Sequence, residues 1–246
     1  MVSEPAPLRA DVALCARGLF ESRAKAREAI LAGLVEVDGR KVEKPSQLVA
    51  PDAEIAARAP HPFVSRGGVK LAHALEAFAV EARGRYCLDV GASTGGFTDA
   101  LIAAGARHVV AIDVGHGQLH EKLRGDPRVT SLEGLDARAL TAAHLSAPPS
   151  LVVVDASFIS LSLALPNALS LASPRAELLA LVKPQFEAGR AAVKKGVVRD
   201  AAVHAEVCAR VAAEIEALGW RVLGIVPSPI AGGDGNREFL LHAKRG

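Results

Sequence analysis

Four charged residues stand where their neighbours are apolar or turn-forming: Lys70 after SRGGV, Asp155 at the end of LVVVD, Lys183 at the end of LLALVK, and Glu238 within NREFLL. Two lysines and two carboxylates at strand ends can neutralise one another, and a lysine crowded by other charges can be tuned to act as a base. The same four residues could also be a purely structural ion-pair network. A second feature gives the quartet something to act on. LDVGASTGGFTD (88–99) ends an apolar run with Asp89 and follows it with Gly91, Ser93, Gly95, Gly96 and Phe97. Glycines there permit a tight turn and close backbone approach to a nucleotide-like ligand.

The glycine spacing is not G-x-G-x-x-G, and a carboxylate at the strand end would repel a phosphate. It suits a hydrogen-bond-donating cation such as an α-amino group, which favours S-adenosylmethionine over a nicotinamide dinucleotide. Asp113 ends the next strand, about 20 residues on, where an acid can accept from ribose hydroxyls. Asp136 follows a third strand, within reach of an adenine edge. Each acid alone reads equally well as a loop residue or helix cap; three in succession favour the ligand. His116 and His120 are four apart, but there is no H-E-x-x-H and no third ligand nearby, so no metal is expected. Ser157 lies in DASFISLS, outside any G-x-S-x-G elbow, and reads as part of a substrate-contacting loop.

The elements that must position these residues are legible as a change of pattern. Strands are expected at 86–90, 108–113, 128–132, 151–155, 177–182, 220–226 and 237–242, with helices at 69–82, 97–105, 117–124, 159–171 and 200–218. Alternating strand and helix, with strands apolar on both faces, means an α/β fold: a mostly parallel seven-stranded sheet wrapped by helices. Only a loop joins the last two strands, which allows an antiparallel hairpin there. Upstream, the pattern is helix (8–20), helix (22–34) with Ser22 as N-cap, and a hairpin across VEVDGRKV with Asp38-Gly39 at its turn. A short strand follows near 54–56. ARAPHPFVSRGG interrupts both patterns, so we expect a small α+β unit over residues 1–59, a linker at 60–67 and the large unit over 68–246.

Composition narrows the classes. Of 246 residues, 50% are hydrophobic, yet no uncharged run approaches the ~20 residues of a membrane span. No basic patch followed by an apolar stretch opens the chain, and the three cysteines are far apart with no C-x-x-C, so a cytoplasmic protein without disulfides is expected. Net charge is only +2, so a nucleic-acid surface must come from local clustering. In the small unit the candidates are Arg17, Arg23, Lys25 and Arg27, with Lys41 and Lys44 by the hairpin. Arg190, Lys194 and Lys195 sit in a glycine-containing loop expected to be mobile and to close on RNA. Aromatic residues make up 4%, too few for a stacking platform, which favours recognition by backbone and shape.

LDVGASTGGFTD, DVGHGQL, VVVDASFIS, LVKPQFE and GNREFLL, in this order, resemble the TlyA family of ribosomal RNA 2′-O-methyltransferases, also labelled hemolysin A and related to the FtsJ (RrmJ) methyltransferases. The front unit, from RADVALCARGLF through PSQLV, resembles an S4 RNA-binding domain. The resemblance implies an S4-like domain followed by a Rossmann-like methyltransferase domain. It implies a Lys70–Asp155–Lys183–Glu238 catalytic tetrad and S-adenosylmethionine bound around Asp89–Phe97, Asp113 and Asp136. It implies a cytidine 2′-hydroxyl of 23S rRNA as substrate, with ribosomal RNA and ribosomal subunits as the partners, no membrane and no obligate protein partner. Members that also act on 16S rRNA carry a longer, Arg-rich N-terminus, whereas Arg9 is the sole arginine before the first helix here. Two readings from other classes stand beside this one: a non-catalytic RNA-binding or ribosome-assembly factor, and a membrane-active hemolysin.

Overall fold

The computed structural model describes residues 6–189, 192–232 and 234–246. The chain forms two compact units, Met1–Pro62 and Phe63–Gly246.

The first unit runs β1 (Leu8–Arg9), α1 (Ala10–Ala16), α2 (Arg23–Leu31), β2 (Val35–Val37), β3 (Arg40–Lys41), β4 (Leu48–Val49) and β5 (Ile55–Ala57). Ser22 caps α2 by accepting from the Lys25 amide. Asp38 and Gly39 both take positive φ, 51° and 73°, the turn whose twist matches a two-stranded ribbon. β2 pairs antiparallel with β3 on one side and β5 on the other. Ala13, Leu14, Ala26, Ile30, Val35 and Val49 close a small core beneath the helices. The first helix is shorter than its periodicity predicts. Leu8–Arg9 pairs with Leu48–Val49, a long-range contact that local spacing cannot announce, and Gly18 at φ 70° ends the helical path.

The second unit runs α3 (Gly67–Ala77), β6 (Tyr86–Val90), α4 (Gly96–Ala103), β7 (His108–Asp113), α5 (Glu121–Arg124), β8 (Val129–Glu133), β9 (Leu151–Val154), α6 (Leu161–Ser170), β10 (Glu177–Val182), α7 (Pro184–Glu187), α8 (Ala201–Ala217), β11 (Trp220–Pro227) and β12 (Phe239–Arg245). Its seven-stranded sheet has the order β11-β12-β10-β9-β6-β7-β8. All pairs are parallel except those of β12, which runs antiparallel to both β10 and β11.

Strand residues alternate between two cores. Leu88, Val152 and Val154 pack with Leu165, Val207 and Val211 of α6 and α8. Cys87, Leu151 and Val153 pack with Leu71 and Leu101 of α3 and α4. Burial on both faces explains why these strands read as continuous apolar runs. β6 lies between β7 and β9, so the chain order reverses there, and the crevice beyond the carboxyl ends of β6 and β9 is where an open α/β sheet takes its ligand. α5 begins later than expected. Residues 117–119 leave helical geometry to wrap the Glu133 carboxylate, which accepts from the amides of Gly117, Gln118 and Leu119.

Candidate active site

At the carboxyl end of β6 the chain turns through Gly91 at φ 83° and Gly95 at φ 94° into the first turn of α4. Both conformations are strained for any residue with a Cβ. Gly91 is further fixed by a neighbour, since a Cβ there would sit 2.9 Å from the carbonyl oxygen of Asp155. Gly96 is equally close-packed: a Cβ would lie 2.9 Å from the Gly68 nitrogen and collide with the Ser65 hydroxyl. The backbone of 65–68 and the end of β9 are thus pressed against the turn.

Two adjoining cavities open around it. The larger, about 740 Å³, is bordered by Gly91, Ser93, Asp113, Asp136, Asp155 and Ser157 among others. The smaller, about 150 Å³, lies between Ser65, Gly67, Gly96 and Phe97 and shares Gly91, Ser93, Asp155 and Ser157 with the first. Asp113 accepts from the Ser93 amide at 2.8 Å and the Gly115 amide at 2.7 Å, tying the two loops together at the rim. Asp136 caps a short helical turn at 137–139 and forms a fork with the Arg138 guanidinium, which holds its carboxyl down at about 2. It borders the cleft charged, with Arg138 already engaged.

Asp89 departs from expectation. It lines neither cavity, for alternation along β6 turns its side chain to the α4 face, where it is fully buried and accepts from the Thr98 hydroxyl at 2.6 Å. Burial pushes its carboxyl up to about 7, against the pull of the Thr98 hydrogen bond, and the negative charges of Asp155 and Asp113 add to the rise. Its Oδ1 has no hydrogen-bond partner. Asp89 leaves one carboxylate oxygen unpaired, next in sequence to Val90 and Gly91, which line the larger cavity, and such an oxygen fits a ligand bearing an ammonium group. The donor set therefore suits S-adenosylmethionine, with Gly91, Ser93 and Gly96 approached through backbone and Asp113 placed for hydroxyl groups.

The four isolated charges form two ion pairs. Lys183 Nζ lies 2.6 Å from Asp155 Oδ1, and it donates to the Ser157 hydroxyl at 2.7 Å. Lys70 pairs with Glu238, and both are almost completely buried. Strand register brings the pairs to one edge. Val182 faces Phe239 across β10 and β12, so Lys183 and Glu238 leave the sheet side by side. Gly67, one helical turn before Lys70, is placed so that a Cβ there would be 3.6 Å from Asp155 Oδ2. Phe186 completes the surroundings, its ring centroid 5.9 Å from Lys183 Nζ and 5.1 Å from the ring of the exposed Phe158.

The basic residues divide. Arg17 donates to the carbonyls of Ala50, Pro51 and Ala53, and Arg23 pairs at 2.8 Å with Asp11, which is buried and held down at about 2 by Arg9 and Arg23. Lys25 pairs with Glu21 one turn away. These three, expected to reach RNA, have partners within the small unit, although Arg17 and Arg23 stay exposed. Arg27, Lys41 and Lys44 are exposed. In the large unit Lys194 and Lys195 are exposed on a two-residue turn closed by the Lys194–Val197 bridge. Buried Asn236 braces it, donating to the Gly196 carbonyl and accepting from the Val198 amide. These bonds hold the turn; Arg190, earlier in the same loop, lies outside the described residues. Asn236 and Thr98 were missed in the sequence because an ordinary polar residue acquires its role only from a partner far along the chain.

His120 caps α5 and His116 precedes it in a loop, so the two share no helical face. Among the described residues, no group of three or more His, Cys, Asp or Glu could hold a metal ion. Nor is any helix there long and apolar enough to cross a membrane.

Comparison with known proteins places this geometry. Residues 63–245 match the FtsJ-like methyltransferase family and residues 8–55 match the S4 domain. The 16S/23S rRNA (cytidine-2′-O)-methyltransferase TlyA of Mycobacterium tuberculosis (strain CDC 1551 / Oshkosh) is 47% identical over 236 residues, 95% of this chain and 88% of that protein. Hemolysin A of Brachyspira hyodysenteriae is 38% identical over 96% of this chain and 99% of its own. A solved structure from Streptococcus thermophilus that carries a hemolysin name superposes with a TM-score of 0.78 at 40% identity, covering 98% of this chain and 89% of that one. An S4 domain joined to an FtsJ-like methyltransferase domain, with likeness of this extent along almost the whole chain, makes the protein a member of the TlyA family.

Proposed function

We propose that the protein transfers a methyl group from S-adenosylmethionine to a cytidine ribose 2′-hydroxyl of 23S rRNA, in the cytoplasm and on ribosomal particles. The observation that supports this most is the Lys183–Asp155 pair, set where the glycine turn, Ser157 and both cavities meet. When bound, the sulfonium supplies an activated methyl carbon. A ribose hydroxyl is a poor nucleophile, and what the chain must add is orientation and a destination for its proton. Lys183 is that destination, with Asp155 fixing its position and receiving it as an ammonium ion. Lys70 and Glu238 form a second, buried pair beside it that sets the local charge and anchors α3 to the start of β12. Arg27, Lys41 and Lys44 on the small unit, and Lys194 and Lys195 on the large, are the candidates for RNA phosphates.

The test is transfer of labelled methyl to 30S, 50S and 70S particles lacking the modification, followed by mapping of the methylated nucleotide. Label in a 23S cytidine ribose is the expected result, and label in 16S as well would widen the substrate. Cofactor binding without transfer to any particle would favour a binding-only assembly factor. Vesicle leakage by the purified protein would favour the hemolysin reading instead.

A further inference from the structure

Lys183 is 8% exposed and lines neither cavity. Its Nζ is nevertheless 2.7 Å from a hydroxyl that lines both, that of Ser157, which is exposed. Its other close partner, Asp155, is an acceptor and offers no proton path of its own while ionised. The base is thus set back from the space a ribose would occupy, and the serine hydroxyl lies between them.

We infer that Ser157 is a catalytic residue that touches the reacting 2′-hydroxyl and relays its proton to Lys183. This rests on the methyl-transfer reading above. Before reaction Lys183 is neutral and accepts from the Ser157 O–H, while Ser157 Oγ accepts from the ribose O–H. As the oxygen–methyl bond forms, the ribose O–H breaks and its proton passes to Ser157 Oγ, whose own proton passes to Lys183 Nζ. The carbon–sulfur bond breaks with its electron pair left on sulfur. Serine ends as it began, and Lys183 ends as an ammonium ion against Asp155 Oδ1. A hydroxyl can do this because it donates and accepts at once. Ser157, facing the open cavity, is also the way out for that proton.

The experiment compares Ser157→Ala, Ser157→Thr and Lys183→Ala in the full-length protein, on 50S particles lacking the modification. For Ser157→Ala, kcat is expected to fall by ~10²-fold, the lower end for proton-transfer catalysis, with S-adenosylmethionine affinity within about twofold of the parent. Ser157→Thr, which keeps the hydroxyl, should regain most of the rate. A proton inventory in mixed light and heavy water should be curved for the parent, with two protons in flight, and linear for Ser157→Ala. Parental kcat and a curved inventory in Ser157→Ala, or Ser157→Thr no faster than Ser157→Ala, overturn the relay. If Lys183→Ala is inactive while Ser157→Ala is fully active, only the relay fails. If Lys183→Ala is fully active, the underlying mechanism fails with it.

Discussion

Lys183 Nζ stands 2.6 Å from Asp155 Oδ1, and the two side chains leave neighbouring parallel strands, β10 and β9, at their carboxyl ends. Parallel pairing brings strand-end residues to one side of the sheet, so two apolar runs separated by a helix deliver a lysine and its carboxylate partner to the same place. Replacing Lys183 with Ala is expected to lower methylation by ~10²–10⁴-fold while cofactor binding, read by calorimetry, is retained. Lys183→Arg should not rescue, because a guanidinium does not release its proton at usable pH. Near-parental activity in either variant would remove Lys183 from the chemistry.

The Lys70–Glu238 pair makes a different prediction, because it is deeply buried. Removing one partner leaves a charge in a dry environment, a loss of about 3–5 kcal/mol. Lys70→Met or Glu238→Met alone should therefore shift the urea midpoint strongly. The double replacement should recover much of that stability, as apolar pairs often match buried ion pairs. Methylation should stay low in all three. Additive losses in the double variant would mean that the two residues do not neutralise each other.

The seven strands and the presence of the helices were legible because their signals are local: apolar runs, Gly and Asp at breaks, and strand-to-helix alternation. The four charges of the site were legible for the same reason, each ending or interrupting an apolar stretch. What escaped depended on distant partners. Leu8–Arg9 is a strand only because Leu48–Val49 pairs with it. Arg17 and Arg23 read as a basic surface and both stay exposed, but their fastening to the carbonyls of 50–53 and to buried Asp11 could not be read locally. Asp89 was expected to face the ligand; alternation along β6 buries it beneath α4, where one carboxylate oxygen binds Thr98 and the other stays unpaired.

That placement gives Asp89 a pH signature. Its carboxyl is raised to about 7, chiefly by burial, so the folded state binds a proton that the unfolded chain releases at lower pH. Through the window between the ordinary aspartate range and about 7, this residue favours the folded state less as pH rises. Asp89→Asn cannot ionise and escapes that loss. Melting curves from pH 5 to 8 should show the variant gaining on the parent as pH increases, with the gap levelling above about pH 7. A gap independent of pH would mean that Asp89 stays ionised throughout the window.

Gly91 and Gly117 separate close approach from conformation. Both take positive φ, 83° and 66°, but a Cβ at Gly117 meets nothing within 4 Å, while one at Gly91 would lie 2.9 Å from the Asp155 carbonyl oxygen. Gly117→Ala should lose only the conformational part, about 1 kcal/mol, and keep cofactor binding. Gly91→Ala should lose more stability and also displace Asp155, so that cofactor affinity and kcat fall together. Equal effects of the two substitutions on affinity would show that the glycine turn is not pressed against the catalytic strand end.

Lys194 and Lys195 offer the last test, since the braced turn presents both outward. Each phosphate neutralised by a lysine releases counterions, so removing one contact lowers the slope of log affinity against log salt by about 1. Lys194→Glu with Lys195→Glu should weaken binding to rRNA fragments at low salt and flatten that slope by about 2. The variant should bind S-adenosylmethionine as the parent does, because neither residue borders the cavities. Asn236→Ala, which removes the brace without altering charge, should weaken RNA binding while leaving most of the slope. An unchanged slope after the double charge reversal would place the RNA path elsewhere on the large unit.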